Sequence, residues 1–295
     1  MLSDAPLLLA YVVFVAAVLG LCMGSFLNCF AWRMTHGESV LHGRSHCTTC
    51  GHVLGPLDLI PVFSWLASRG RCRYCGERVS WRYPATELLC AVMYVSIVLR
   101  YGLSLETIEL IAFASVLLVL SLTDLDDYII PNGTIVAALC IRLAYLVALG
   151  LTGQGDMLIL LRDALVGGLG VAVPVLLLSL VMDHVLGRES LGGGDVKLLF
   201  VAGTYFGVLQ CLFLLIVACV LGIVFSLLGG SAAPSEDETG DKTEELVEGE
   251  GGSLQKDESQ ANTGHLIPFG PSIAAACWIT MLVGSQVISW YLGLF

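Results

Sequence analysis

Charge is what this sequence has least of. Asp, Glu, Lys and Arg make up only 13% of its 295 residues, while 56% are hydrophobic and the mean hydropathy is +0.84. Soluble globular domains carry about 25% charged residues. The shortage excludes a water-soluble enzyme, a disordered chain and a nucleic-acid binder, and the net charge of −11 is no guide to a ligand. No internal repeat is visible. The first apolar stretch, Pro6 to Met23, has neither a basic leading region nor a small-residue cleavage site, so it reads as a retained first helix and not a removed signal peptide.

What is present is a series of Leu/Ala/Val-rich blocks of helical length, the pattern of an all-α polytopic membrane protein. The expected spans are Leu7–Leu27, Ala85–Leu99, Glu106–Leu122, Gly133–Leu149, Met157–Leu186, Val196–Tyr205 followed by Phe206–Leu228, and Pro271–Leu292. The stretch from 196 to 228 is too long for one span and too short for two full ones. A turn near Gly203–Gly207 divides it, giving about eight transmembrane helices. The acidity is local: residues 231–264 hold ten acidic and two basic side chains, which leaves the other 261 residues at −3.

Lys and Arg orient such a chain, because cytoplasmic loops collect them. Arg33, Arg44, Arg69, Arg71, Arg73, Arg78 and Arg82 crowd one loop. That loop is therefore expected in the cytoplasm, with the N-terminus outside. Alternation places Asp124–Gly133, His184–Asp195 and the acidic insert on the cytoplasmic side as well. Arg142 falls inside a span, where it must snorkel or find a partner.

Seven of the eleven cysteines are scattered through apolar segments as small hydrophobes. The other four, Cys47, Cys50, Cys72 and Cys75, form two Cys-x-x-Cys-Gly knuckles in the arginine-rich loop. Four thiolates so paired can surround one Zn²⁺, and a glycine after each second Cys suits the tight turn. A loop of about 50 residues with few large apolar groups needs such a staple. Free thiols or a redox pair are the alternatives. His36, His42, His46 and His52 read as surface residues.

Carboxylates gather at two span ends. Asp124, Asp126 and Asp127 close a very apolar helix; Gly192, Gly193 and Gly194 precede Asp195, which opens the next one. Intramembrane and membrane-edge ionisable groups are costly and therefore suspect. Asp195 also has the position of an ordinary helix cap. Asp126 and Asp127 fit solvated residues, and Asp124 is the hardest to explain that way. Two neighbouring carboxylates would share one proton, so that one activates a water while the other protonates the reacting group. Spacing alone cannot bring together residues 71 positions apart.

Gly24-Ser25-Phe26-Leu27-Asn28, the two cysteine knuckles, Ile60-Pro61, Ser80-Trp81-Arg82-Tyr83-Pro84, Glu87-Leu88-Leu89, Asp124 with Pro131-Asn132, Gly192-Gly193-Gly194-Asp195-Val196-Lys197 and Pro268-Phe269-Gly270-Pro271 occur in one order. In that order they resemble the type IV prepilin peptidases, over nearly everything except residues 229–264. The resemblance implies a GxGD-class aspartic peptidase of the bacterial inner membrane, acting on prepilin or pseudopilin leaders at the cytoplasmic face. It implies Asp124 and Asp195 as the catalytic pair, Lys197 and Gly192 to Gly194 as possible auxiliaries, and Cys47, Cys50, Cys72 and Cys75 as zinc ligands. It also implies N-methylation of the new N-terminus with S-adenosylmethionine, although no glycine-rich nucleotide fingerprint places that cofactor. Many relatives have Pro where this chain has Thr48, which leaves the ligands intact.

The expected partition is a first helix at 1–32, a zinc-binding loop at 33–84, a peptidase core at 85–228, a disordered acidic insert at 229–264 and a last helix at 265–295. The lipid bilayer and the pilin substrates are the expected partners, with no nucleic acid. A membrane thiol oxidoreductase using the Cys-x-x-Cys pairs, or a non-enzymatic scaffold or transporter, are the competing functions.

Overall fold

The computed structural model describes residues 6–39, 43–187, 191–229 and 269–294; the acidic insert expected to be disordered lies almost entirely outside them. Among the described residues the chain is helical, with no strand beyond two isolated bridges. Its elements are α1 (Pro6–Thr35), the short α2 (Phe63–Ala67), α3 (Arg82–Tyr101), α4 (Leu105–Asp127), α5 (Asn132–Leu151), α6 (Met157–Leu186), α7 (Gly193–Gly229) and α8 (Gly270–Leu292). All but α2 are long and apolar enough to cross a membrane, which makes seven. Large apolar side chains such as Leu7, Tyr11, Phe14, Leu177 and Ile216 point outward. In water these would be a liability; in lipid they face their own kind.

Local sequence explains several helix ends. Ser104 caps α4 by accepting from the Thr107 N–H at 3.1 Å, and Asp156 caps α6 through the Leu158 N–H at 2.9 Å. Gly102 and Gly187 end α3 and α6 at positive φ, where a side chain would be strained.

The sixth long helix, α7, departs from a plain span. Gly207 has φ 71° and ψ 175°, a break inside α7. Gly194 lies against Ile130, and Gly222 lies against Phe269. Ile130 follows the end of α4 that carries Asp124, and Phe269 immediately precedes Gly270, whose N–H meets the Asp124 carboxylate. A straight helix would set residues 194 and 222 about 42 Å apart. The chain therefore folds back at Gly207, at the end of the interval where the sequence placed the turn.

The core is assembled across α4, α7 and α8. Phe113 is fully buried and stacks on Tyr205 with ring centroids 3.9 Å apart. Thr280–Gly284 forms one π turn within α8, a form that leaves carbonyls displaced from the regular ladder. Tyr101 donates its hydroxyl to the Met281 carbonyl at 2.6 Å, and Arg100 Nε donates to that of Leu282 at 3.0 Å. Arg142 finds partners: Nη1 donates to Glu109 at 2.9 Å and Nε to the Thr204 carbonyl at 2.9 Å. The guanidinium also lies 5.1 Å from the Tyr205 ring centroid. Glu109, the counter-charge, was not singled out in the sequence; a second ionisable group inside an expected span, one turn from its start, was the available signal.

Candidate active site and candidate metal centre

Asp124 sits in the last turn of α4, where a helix presents its negative end and a carboxylate is unfavourable. Compensation comes from another element. Gly270 opens α8, and its N–H, free of an intrahelical partner, donates to Asp124 Oδ2 at 2.9 Å. A Cβ at Gly270 would lie 2.6 Å from that oxygen, so only glycine permits the approach. Asp124 is 6% exposed, deeper than Asp126 or Asp127.

Asp195 lies in the first turn of α7, two residues after its start at Gly193. It is not the cap residue: its own N–H donates to the Gly192 carbonyl at 3.0 Å. It is partly buried and within Coulombic range of Asp124. The three glycines keep this turn slim. Gly194 touches the Ile130 side chain that follows α4, and a Cβ there would sit 3.0 Å from it. Lys197 donates from Nζ to Asn132 Oδ1 at 2.9 Å; it joins α7 to the start of α5. Asp126, expected to be merely solvated, is held by Arg82 at the start of α3, with Nη2 donating to Oδ2 at 2.9 Å.

Two carboxylates from α4 and α7, one fixed by a backbone N–H from α8, therefore lie within Coulombic range of each other at one end of the bundle. Such a pair can hold a water and exchange a proton between its members. The fold brings these two together and leaves Asp126 and Asp127 outside the pair.

The second constellation is on the same side. Each cysteine knuckle closes on itself in the same way. The Cys47 N–H donates to the His52 carbonyl and the Gly51 N–H to that of Cys47; Cys72, Glu77 and Gly76 repeat the pattern. Gly51 and Gly76 have φ of 69° and 77°, the left-handed turn that the glycines were expected to supply. The four sulfurs all lie within 4.8 Å of one another, and those of Cys47 and Cys75 are 3.9 Å apart. Zinc–sulfur bonds of about 2.3 Å in a tetrahedron require sulfur pairs about 3.8 Å apart, so the donor set fits one such ion. Backbone N–H groups of Cys50 and Thr49 pull the Cys47 thiol down to about 6, which supplies a thiolate near neutral pH. Of the four histidines, His52 stacks on Tyr74 and His36 on Trp32, and neither belongs to the sulfur cluster.

An all-helical membrane bundle with paired carboxylates at one end and a four-cysteine loop beside them defines the class. Residues 111–227 match the Type IV leader peptidase family and residues 18–101 match the Bacterial Peptidase A24 N-terminal domain. The chain is 31% identical to the prepilin leader peptidase/N-methyltransferase of Bacillus subtilis over 275 residues, covering 93% of this chain and 96% of that one. It is 30% identical to that of Pseudomonas putida over 300 residues, covering 94% and 93%. With the Myxococcus xanthus protein of the same name it shares 36% over 231 residues, covering 76% of this chain and 66% of the relative. No solved structure matches. The chain belongs to the type IV leader peptidase family.

Proposed function

We infer that this chain is a membrane enzyme that cleaves the leader of type IV prepilins or pseudopilins and N-methylates the amino terminus so exposed. The names of its relatives support both activities, and the family match to residues 111–227 supports the peptidase. The observation that carries the catalytic assignment is that Asp124 and Asp195, 71 positions apart, lie within Coulombic range of each other, with Asp124 held by the Gly270 N–H.

In this reading the two aspartates share a proton and a water. The ionised member takes a proton from the water as its oxygen attacks the scissile carbonyl carbon. The protonated member gives its proton to the carbonyl oxygen. Collapse of the tetrahedral species returns a proton to the leaving nitrogen, with no covalent enzyme intermediate. The Gly270 N–H occupies Asp124 Oδ2 and leaves Oδ1 for the water and the shared proton. Gly192 to Gly194 keep the α7 start slim enough for a substrate backbone to approach. Lys197 positions α7 against α5 through Asn132.

Cys47, Cys50, Cys72 and Cys75 would hold one structural zinc that ties the two knuckles together. Their mutual closeness favours one shared ion over two independent redox dithiols. S-adenosylmethionine supplies the methyl group when bound. The fold-back at Gly207 supports eight crossings, with the N-terminus outside and the aspartates at the cytoplasmic face of the inner membrane, as the arginine-rich loop favours. Under this reading residues 33–84 are the methyltransferase-associated loop and residues 85–228 the peptidase core, with the insert at 229–264 taking no catalytic part.

Mass spectrometry of a reconstituted prepilin, with and without S-adenosylmethionine, tests both halves. Leader removal is expected in both cases and a 14 Da gain only with the donor. Undiminished cleavage by either Asp124→Asn or Asp195→Asn would overturn the catalytic pair.

A further inference from the structure

The aspartate pair and the sulfur cluster leave one feature unused. Between the cysteine loop and the cytoplasmic ends of α1 and α3 lies a cavity of about 440 Å³, within the range of small-ligand sites. Its two most deeply buried charged walls carry opposite charge. Glu87, on α3, is 7% exposed, and Arg33, on α1, is 8% exposed. The two helices are packed tightly there. A Cβ at Gly24 would lie 2.7 Å from the Glu87 Cα, and Asn28 hydrogen-bonds Thr86.

Glu87 accepts the Val62 N–H at 2.7 Å, yet no cationic side chain among the described residues comes within ion-pair distance of it. A buried carboxylate without a counter-charge is expensive. Where it lines a cavity, a cationic ligand is the economical solution. Arg33 makes one loose ion pair, 3.9 Å to Glu38, and one hydrogen bond, 3.3 Å to the Ser39 carbonyl. A guanidinium has five N–H donors, so it retains capacity for a carboxylate. Trp32 and Tyr83 add aromatic faces to the same walls.

A ligand for such walls carries a buried positive centre, a carboxylate and a flat ring. We propose that this cavity is the methyl-donor site, taking S-adenosylmethionine with its sulfonium toward Glu87, its carboxylate on Arg33 and its adenine against Trp32 or Tyr83. The assignment rests on the methyltransferase reading above and goes beyond it in naming the residues.

The placement suits the order of events. Tyr83 adjoins Arg82, whose guanidinium grips Asp126, two residues beyond Asp124. The donor cavity and the aspartate pair are thus joined by one ion pair at the same end of the bundle. In the transfer itself the uncharged amino terminus forms a nitrogen–carbon bond to the methyl group as the carbon–sulfur bond breaks. The electron pair goes to sulfur, leaving a neutral thioether and a methylated ammonium that loses its extra proton to water.

Binding to the full-length zinc-loaded protein in nanodiscs, measured by calorimetry, tests the site independently of turnover. The probes are S-adenosylmethionine, S-adenosylhomocysteine, which lacks the positive charge, and methylthioadenosine, which lacks the amino acid part. Glu87→Gln is expected to lower the S-adenosylmethionine to S-adenosylhomocysteine affinity ratio about tenfold. Arg33→Gln is expected to weaken both about tenfold and leave methylthioadenosine unchanged. Ultraviolet cross-linking of radiolabelled donor to the wild-type protein is expected to label peptides spanning residues 25–33 or 80–87, and keeps the test intact if a variant loses its zinc. Unchanged affinities in both variants, or label confined to other segments, would overturn the site while leaving the methylation reading intact. Failure of the wild type to bind the donor at all would overturn both, whereas the cleavage assay on the aspartate variants stands apart from either result.

Discussion

The N–H of Gly270 donates to Asp124 Oδ2 at 2.9 Å, joining residues 146 positions apart and fixing one oxygen of a carboxylate at the end of α4. The bond satisfies a donor that α8 leaves open at its first turn and offsets the unfavourable placement of an acid at a helix C-terminus. It also ties the last span to the site without giving it a side chain there.

Gly270→Ala would therefore act on the reaction more than on the fold. The new Cβ would sit 2.6 Å from Oδ2 and must push the carboxylate aside. Cleavage of a reconstituted prepilin is expected to fall at least tenfold, about 1.4 kcal/mol in the barrier, with the melting temperature little changed. An unaltered cleavage rate would show that the contact does not position Asp124.

One zinc per chain is expected, falling to none in Cys72→Ser, the most buried of the four ligands. Acid should release it too. The Cys47 thiol, lowered to about 6, stays a thiolate above that pH and protonates below it. The stabilisation it lends is complete above the ordinary thiol value of 9.0, partial at neutral pH, and lost as the pH falls through about 6. Because metal competes with protons for the sulfur, release should have its midpoint below about pH 6. Metal analysis after desalting across a pH series checks both expectations.

Arg142 and Glu109 form a buried pair, and Glu109 is almost fully enclosed. Removing one partner strands the other: Arg142→Met or Glu109→Leu alone should cost about 3–5 kcal/mol. The double replacement should recover much of that loss. Thermal unfolding of the four proteins in one detergent forms a double-mutant cycle, and additive losses would contradict a coupled pair.

Gly207 carries the reversal within α7 at φ 71°, ψ 175°. That region is open essentially to glycine alone, so Gly207→Ala should cost about 1–3 kcal/mol through backbone strain. The same scan reads it: a melting temperature equal to that of wild type would mean the turn has another conformation open to it.

Much of the architecture was legible because it depends on short-range physics. Apolar runs of span length announce helices whatever lies beside them, and α6 begins and ends where the sequence placed it, at Met157 and Leu186. The Gly51 and Gly76 turns follow from the residue itself, since a left-handed conformation needs no distant partner. The cysteine quartet was legible for the same reason: two self-closing knuckles require only a loop between them.

The partners of the isolated charges were not legible. Arg142 reads in sequence as a residue that either snorkels or pairs; Glu109, 33 positions earlier, is the answer, and only helix packing brings the two to 2.9 Å. Asp126 reads as solvated, and Arg82 holds it across 44 positions. Lys197 falls near the carboxylate pair in sequence, but its reach to Asn132 takes it to another helix.

The sequence by itself determined that this chain has little charge to spend, that its helices belong in a bilayer, and that four cysteines could share one ion. Those properties are set by composition and by contacts within a few residues. Which few charges meet was decided by tertiary structure alone. Asp124 comes within Coulombic range of Asp195 and meets the Gly270 N–H, while Glu87 lines a cavity with no cationic side chain among the described residues at ion-pair distance, because helix packing joins residues by distance in space and not along the chain.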